Sequence, residues 1–432
     1  MSKDSLTALV WFRYDLRTED HIGLKKALDS GLKVIAYYTF NPRHYQNLSW
    51  GFKKTDRFRA HFLVQSVREL KESLKSMNIS LIIDSKPPEI GIIEFLKKYQ
   101  VRQIYLQHEW TEEEKKEEQA IAKKIDTSIK WYRHYDQFLF HPNDLVFSRD
   151  QIPEIFGIFR KKCEKEIEVR SLTSIKSILG PSNLIEEDYE LPSLTELGLE
   201  SVDKDERSAF PFSGGTKMGR ERIKEYFWKT KKLSNYKNTR NGLIGTDYSS
   251  KLSPWLANGS LSPKMIYWEI KNYEKKIKKN QSTYWLIFEL IWRDYFKYIS
   301  LKHGNKIFMV EGILEKKYNW KTDRTLFLEW AEGKTAESFV NANMLELKKT
   351  GWMSNRGRQN VASFFAKDMK MDWRIGAAYF ESLLIDYDVH SNYGNWMYVS
   401  GVGNDPRDRK FDVNWQSKRY DPNNLFQDLW LK

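Results

Sequence analysis

The chain has 432 residues, of which 41% are hydrophobic and 15% aromatic, a size that predicts two or three domains rather than one core. Its single cysteine, Cys163, excludes an internal disulfide framework, and its eight scattered histidines predict no metal site. The sequence lacks a signal-peptide pattern and any stretch of about 18 uncharged apolar residues. We therefore expect a soluble, cytoplasmic protein that does not engage membranes, and a monomer.

The charge is unevenly distributed along the chain. Residues 1–205 carry 32 Lys or Arg against 33 Asp or Glu, whereas residues 206–432 carry 39 against 25. The whole net charge of +13 therefore comes from the second half. This asymmetry predicts an anionic partner for that half, although part of the lysine excess is typical of solvated surface.

The first 136 residues alternate short apolar runs with helical patterns. The runs are 6–12, 33–40, 79–85, 103–107 and 129–135, and the helical patterns are 20–30, 57–77, 89–100 and 111–126. This alternation predicts an α/β fold with a doubly wound, Rossmann-like parallel sheet. The absence of glycine-rich dinucleotide and P-loop motifs argues against those two ligand classes.

The rest of the chain has a different pattern. Residues 137–205 contain several prolines and an acidic stretch, which predict a connector with one short helix near 154–168. Residues 206–432 predict an all-helical domain. Within it, the helix 284–300 places Glu289 and Arg293 inside an aromatic stripe. Taken alone, that pair favours an exposed salt bridge over a buried polar site.

Two further segments of the helical half admit two interpretations each. Asp386 and Asp388 cannot share a helix face, so we expect them at a helix end, followed by a turn at Asn392–Asn395. They would line a polar pocket or merely cap a helix. The hydroxyl-rich segment 248–263 suits either a phosphate at a helix start or ordinary Ser-Pro turns.

Long motifs, taken together, resolve these alternatives. Arg13-Tyr14-Asp15-Leu16-Arg17, after a strand ending in Trp-Phe, resembles the W-F-R-x-D-L-R opening of the photolyase/cryptochrome family. Two longer segments resemble the family's flavin domain: YKNTRNGLIGTDYSSKLSPWLANGSLSP and STYWLIFELIWRDYF. The motifs TGWMSNRGRQ, DYDVHSNYGNW and NWMYVSGVGNDPR are most similar to the DASH cryptochrome branch. The resemblance covers almost the whole chain in order.

The resemblance implies an N-terminal α/β antenna domain (1–136), a connector (137–205) and a helical FAD-binding domain (206–432). The implied FAD-binding residues are Tyr236, Ser249, Ser250, Lys251, Leu252, Ser253, Glu289, Arg293, Asn355, Arg358, Asp386, Asp388 and Asn392. Of these, Arg358 would pair with Asp386, and Asn392 would face the reactive edge of the flavin.

The resemblance also assigns aromatic and basic side chains. Trp396, Trp373 and Trp320 match an electron-transfer chain that leads from the flavin to the surface, although any single Trp chosen blindly is more typical of core packing. The implied DNA- and lesion-binding residues are Trp292, Asn355, Arg356, Gln359, Tyr398 and Arg407, with Arg409 nearby. Tyr398 stands where many duplex-active photolyases carry Trp.

The implied function is repair of cyclobutane pyrimidine dimers, chiefly in single-stranded or looped DNA, by electron transfer from excited reduced FAD. Two alternatives are a non-enzymatic blue-light photoreceptor that regulates through DNA contacts and a basic DNA-binding protein that has lost its flavin. Glu109 matches a position that can hold 5,10-methenyltetrahydrofolate as an antenna, or is only a charge at the helix start near Thr111.

Overall fold

The computed structural model describes residues 6–405 and 407–432, and five strands in its first third form one sheet. The strands are β1 (Thr7–Trp11), β2 (Lys33–Thr39), β3 (Leu81–Asp84), β4 (Val101–Gln107) and β5 (Lys130–His134). All four pairings are parallel, in the order β3-β2-β1-β4-β5. The predicted parallel sheet is confirmed.

Helices cover both faces of this sheet. They are α1 (Ile22–Asp29), α2 (Arg57–Ser76), α3 (Pro88–Lys98) and α4 (Glu112–Ala122). Successive residues of β1 enter opposite cores, since Val10 packs with Leu24 and Leu70 whereas Leu9 packs with Ile92. Burial on both faces explains why the strands are continuous apolar runs.

The connector packs on the helical part of the chain. Its short helix α5 (Phe156–Glu166) lies where the sequence predicts it, and Phe138 and Phe159 belong to the large helical core. The buried Asp294 carboxylate accepts hydrogen bonds from the backbone N–H groups of Leu139 and Phe140, each at 2.8 Å. A buried carboxylate thereby fixes the chain where it leaves the sheet.

The remaining residues are helical, as predicted. The helices are α6 (Thr216–Ile223), α7 (Tyr236–Thr239), α8 (Ser253–Ala257), α9 (Pro263–Lys276), α10 (Gln281–His303), α11 (Arg324–Ala331), α12 (Ser338–Thr350), α13 (Asn355–Ser363), α14 (Trp373–Leu383), α15 (Val389–Ser400), α16 (Val413–Tyr420) and α17 (Leu425–Leu431). The long helix α10 packs against α7, α9 and α15. None of the helices within the described residues is both long and apolar enough to cross a bilayer.

The loop after β1 joins the sheet to the helical part. The Arg17 guanidinium donates to the carbonyl of Gly259 at 2.9 Å, and the Asp20 carboxylate accepts from Lys264 at 2.7 Å. Gly259 has a φ of 76°, and a Cβ there would lie 2.0 Å from the Tyr14 carbonyl oxygen. Only glycine permits this approach, which brings α8 and α9 against the sheet.

Candidate functional site

A bent cleft lies in the helical part. Its larger arm is a cavity of about 260 Å³ lined by every predicted FAD-binding residue except Asn392. Asn392 lines the smaller arm, a cavity of about 90 Å³ that shares Asn355, Arg358, Asp386 and Asp388 with the larger one. Residues from α7, α8, α10, α13 and α15, which together span positions 236 to 392 of the chain, are thus brought together around one space.

The larger arm contains a cation without a protein acceptor. Lys251 has a φ of 61° and is 2% exposed, and its ammonium lies over the ring of Tyr248 at 3.2 Å and that of Trp352 at 4.6 Å. Among the described residues this Nζ has no hydrogen-bond partner, and burial lowers the pKa of Lys251 well below its usual value. An anionic ligand group, such as a phosphate, would satisfy it.

The Glu289–Arg293 salt bridge that the spacing favours is absent from α10, so that interpretation is wrong. Glu289 instead accepts from Arg240 at 2.7 Å. The Arg293 guanidinium donates to the backbone carbonyls of Gln137 and Leu256, the latter at 3.0 Å. Both side chains line the cleft. Helix α10 therefore presents one carboxylate and one guanidinium to it, and each is held by a partner from another element.

Two aspartates lie between α14 and α15, at a helix boundary as expected. Asp386 accepts from Arg358 at 3.0 Å. Asp388 is the N-cap of α15 and accepts from Ser391 N–H at 2.8 Å and from Lys297 at 2.7 Å. Burial opposes ionisation of Asp388, but Lys297 and Arg293 outweigh it and hold its pKa far below the usual value.

The turn expected at Asn392–Asn395 is wrong, because these residues lie inside α15. Gly394 serves packing there, since a Cβ would lie 2.3 Å from the Phe296 ring. The Asn392 side chain is 9% exposed and donates to the Ala377 carbonyl at 3.0 Å. This bond fixes the orientation of the amide at the smaller arm of the cleft.

The three tryptophans of the implied electron-transfer chain differ in exposure. Trp396 lines the smaller arm and is 2% exposed. Trp373 begins α14, is buried, and donates to the Val310 carbonyl at 3.0 Å. Trp320 is half-buried, and a backbone bridge from Lys321 to Met371 holds its segment beside the start of α14. Of the three, only Trp396 lines the cleft and only Trp320 is partly exposed, and the electron-transfer order stays a prediction.

The predicted lesion-binding residues fall into two groups. Asn355 and Gln359 line the smaller arm, and the Arg356 guanidinium donates to Gln359 at 2.8 Å and to Asn241 at 3.1 Å. Trp292 lies apart from these.

The second group surrounds Trp292, which lies outside the residues that line the cleft. Its ring stacks on Phe156 of the connector at 3.6 Å and meets Tyr398 edge-on at 6.1 Å. The Tyr398 hydroxyl accepts from Arg409 at 2.8 Å, and Arg407 is exposed nearby in the chain. The two groups are held by different contacts, the first at the smaller arm of the cleft and the second by Phe156 and Arg409.

A second cavity, of about 560 Å³, lies between α4 and the start of α15. Glu109 lines it, is 5% exposed, and accepts from Gln107 at 2.7 Å. Because Thr111 is the N-cap of α4, Glu109 precedes the helix and is buried in the cavity. Its position favours the lining of a ligand site over a charge at the helix start.

Two functional candidates escape the sequence interpretation. Lys297 follows Arg293 by one helical turn, and a longer reading of the charged stripe on α10 would have included it. Glu346 gives no local signal. It is 1% exposed, and burial raises its pKa to about 8 despite nearby Lys251, Arg358 and the backbone N–H of Ser354.

Family comparison covers both ends of the chain. Residues 8–177 match the model for DNA photolyase, and residues 285–432 match the model for the FAD-binding domain of DNA photolyase. Several residues of the larger arm and the three tryptophans of the implied electron-transfer chain lie in the second of these ranges.

Whole-chain relatives are similar over nearly their full length. The chain is 45% identical to a cryptochrome DASH of Synechocystis sp., covering 98% of this chain and 87% of the relative. It is 43% identical to a cryptochrome DASH of Danio rerio, covering 99% and 83%. The crystal structure of a Synechocystis cryptochrome superposes with a TM-score of 0.95 over 100% of this chain and 89% of that one.

Proposed function

Because this chain belongs to the photolyase/cryptochrome family, in its DASH branch, we propose that it is a blue-light-dependent lyase that splits cyclobutane pyrimidine dimers, chiefly in single-stranded DNA. The observation that carries the proposal is the bent cleft, whose larger arm has the flavin residues and whose smaller arm has Asn355, Gln359 and Asn392. The chemistry that FAD supplies when bound is light-driven donation of one electron to the dimer, whose two inter-base bonds break before the electron returns.

The cleft residues fit this cofactor. Lys251, with its buried and unpaired ammonium, would hold the diphosphate together with the serine-rich segment 249–253. Arg358, paired with Asp386, would lie at the isoalloxazine ring. The fixed dipole of Asn392 and the positive charges near Asp388 would stabilise added negative charge without reorganisation.

The tryptophans would keep the cofactor reduced. We assign Trp396, Trp373 and Trp320 to inward electron transfer, because the first lines the cleft and the last is half-buried. Trp373→Phe should preserve packing while slowing photoreduction of the flavin. Trp430 on α17, buried in the same core, provides the matched control, since Trp430→Phe should leave photoreduction unchanged.

The remaining assignments follow from the same family placement. We propose that the second cavity holds 5,10-methenyltetrahydrofolate with Glu109 as one contact, and that the protein acts as a monomer with domain boundaries near residues 136 and 206. An added absorbance band in protein reconstituted with the folate, lost in Glu109→Gln, would support the antenna.

An illuminated repair assay tests the proposed function. Reduced holoprotein would be mixed under blue light with oligonucleotides carrying one dimer in a single strand, a loop or a duplex. We expect repair in the order single strand, loop, duplex, and none in the dark, because unstacking an unpaired lesion costs least. Intact reduced FAD with no repair of any substrate would refute the lyase and favour the photoreceptor alternative.

A further inference from the structure

Helix α16 presents an unusually exposed tryptophan. Trp415 is 50% exposed, whereas five of the chain's large tryptophans are at most 2% exposed. The guanidinium of Arg419, one turn later, lies 5.0 Å from the Trp415 ring centre. A large indole held against an arginine at the surface is typical of a contact site rather than of core packing.

Alternating rings and guanidinium groups connect Trp415 to the cleft. Arg419 lies 5.7 Å from the ring of Tyr420, and Arg356 lies 4.6 Å from the same ring. Arg356 donates to Gln359, which lines the smaller arm of the cleft. A continuous row of contacts therefore runs from the proposed lesion pocket out to Trp415.

We propose that Trp415 is a stacking platform for an unpaired base that flanks the dimer, several nucleotides along the strand. The proposal rests on the proposed function and adds a second contact site for the same substrate. Bases of any identity offer a π-face to an aromatic ring, and Arg419 beside the ring can meet the adjoining phosphate. Bases in a duplex are already stacked, so the platform favours single strands.

Charge supports a nucleic-acid strand as the occupant. Lys410, Lys418 and Arg419 are exposed on or beside α16, in the half of the chain that carries 39 Lys or Arg against 25 Asp or Glu. A protein partner seated on Trp415 would not require this basic surround or the row of contacts that leads to the cleft.

The test measures binding of holoprotein to labelled single strands with one dimer and either about two or about eight flanking nucleotides, by fluorescence anisotropy. We expect the oligonucleotide with the long flank to bind more tightly. Trp415→Ala should weaken its binding about tenfold and leave binding of the short-flank oligonucleotide unchanged. Trp415→Phe should retain most of it. Trp268→Ala on α9, where the indole is 38% exposed, should have no effect.

A second substrate separates base stacking from phosphate contact. Abasic sites throughout the long flank should weaken wild-type binding as Trp415→Ala does, without further loss in the variant. The proposal is overturned if Trp415→Ala binds the long flank as tightly as wild type, if it weakens both oligonucleotides equally, or if abasic flanks bind normally. Flank-dependent binding that needs Trp415 but comes without light-driven repair would sustain the platform and refute only the lyase.

Discussion

Asn392 is the side chain whose replacement most directly tests the flavin environment. Its amide donates the 3.0 Å bond to the Ala377 carbonyl, so Asn392→Asp adds a negative charge at nearly constant shape and removes this donor. A buried carboxylate next to the proposed ring should disfavour the reduced flavin and lower its midpoint potential, on the order of 50 mV or about tenfold in a one-electron equilibrium. Spectroelectrochemical titration of the holoprotein measures this shift.

The control for this change lies on the same helix. Asn395 also borders the smaller arm but is exposed, and its amide donates to the Ser391 carbonyl. Asn395→Asp should shift the potential far less, because solvent screens its charge. Equal shifts in the two variants would show that Asn392 has no special position relative to the flavin.

Glu346 should make stability depend on pH. Its pKa is raised to about 8 by burial, whereas an unfolded chain ionises glutamate near pH 4.5. Between these values the unfolded state binds fewer protons at this group, so the contribution of Glu346 to stability should fall as pH rises, by up to about 1.4 kcal/mol for each pH unit. Glu346→Gln should remove this loss, as chemical denaturation of the FAD-free protein from pH 5 to 8 would measure.

The pH dependence predicted for Glu346 requires a buried carboxyl, so an exposed glutamate provides the control. Glu329→Gln, at an exposed position of α11, should follow the wild-type curve throughout. If Glu346→Gln and wild type stay parallel over this range, the carboxyl is already ionised in the fold and Lys251 or Arg358 compensates it.

At the scale of elements, one ion pair links α10 to α15. Lys297 and Asp388 have side chains only 4% and 10% exposed, and their Nζ and Oδ2 lie 2.7 Å apart. Lys297→Met would remove the ion-pair partner of the buried aspartate and leave only Arg293 as a nearby positive charge, and should cost up to about 3–5 kcal/mol. Lys306→Met, in an exposed pair with Glu315, should cost about 0–1 kcal/mol in the same denaturation experiment.

A double variant distinguishes a lost charge partner from lost packing. Lys297→Met combined with Asp388→Asn removes both charges and should recover part of the stability. If the double variant is no more stable than Lys297→Met alone, the methionine disturbs the α10–α15 contact by its shape, and the ion pair is not the cause.

The elements that could be predicted are those specified locally. The parallel strands are buried on both faces, so their apolar runs locate them to within about two residues. The asparagine- and glycine-rich segment of α15 is predicted as a turn but forms a helix. Packing of Gly394 against Phe296 overrides its local turn propensity. Local propensity carries no information about a ring supplied by another helix.

The residues of the candidate site can be predicted from the sequence, but the partners that hold them cannot. Long motifs identify the residues of the cleft, but the partners that hold them come from distant positions, such as Arg240 for Glu289. Lys297 continues the charged stripe of α10, but Glu346 gives no sequence signal, because its burial depends on how α12 packs. The contact between Trp292 and Phe156, 136 positions apart, could not be inferred from either segment alone.

At the scale of the whole molecule, the net positive charge comes from the half that contains the cleft. Binding of a single strand should therefore weaken with salt mainly through cations of residues 206–432. Arg407→Ala removes an exposed cation near Tyr398 and Arg409, and should lower the slope of log K against log salt by about 0.7. Lys123→Ala, exposed at the end of α4, removes the same charge from the other half and should leave the slope unchanged.

The pair of variants separates a local phosphate contact from a general field. If net charge alone attracted the strand, Arg407→Ala and Lys123→Ala would reduce affinity equally, and neither would change the number of counterions released. A change of slope confined to Arg407→Ala would mean that the strand contacts the helical half at Arg407. Equal slopes in both variants and wild type would remove Arg407 from the interface and leave the cations of α16 as the phosphate contacts.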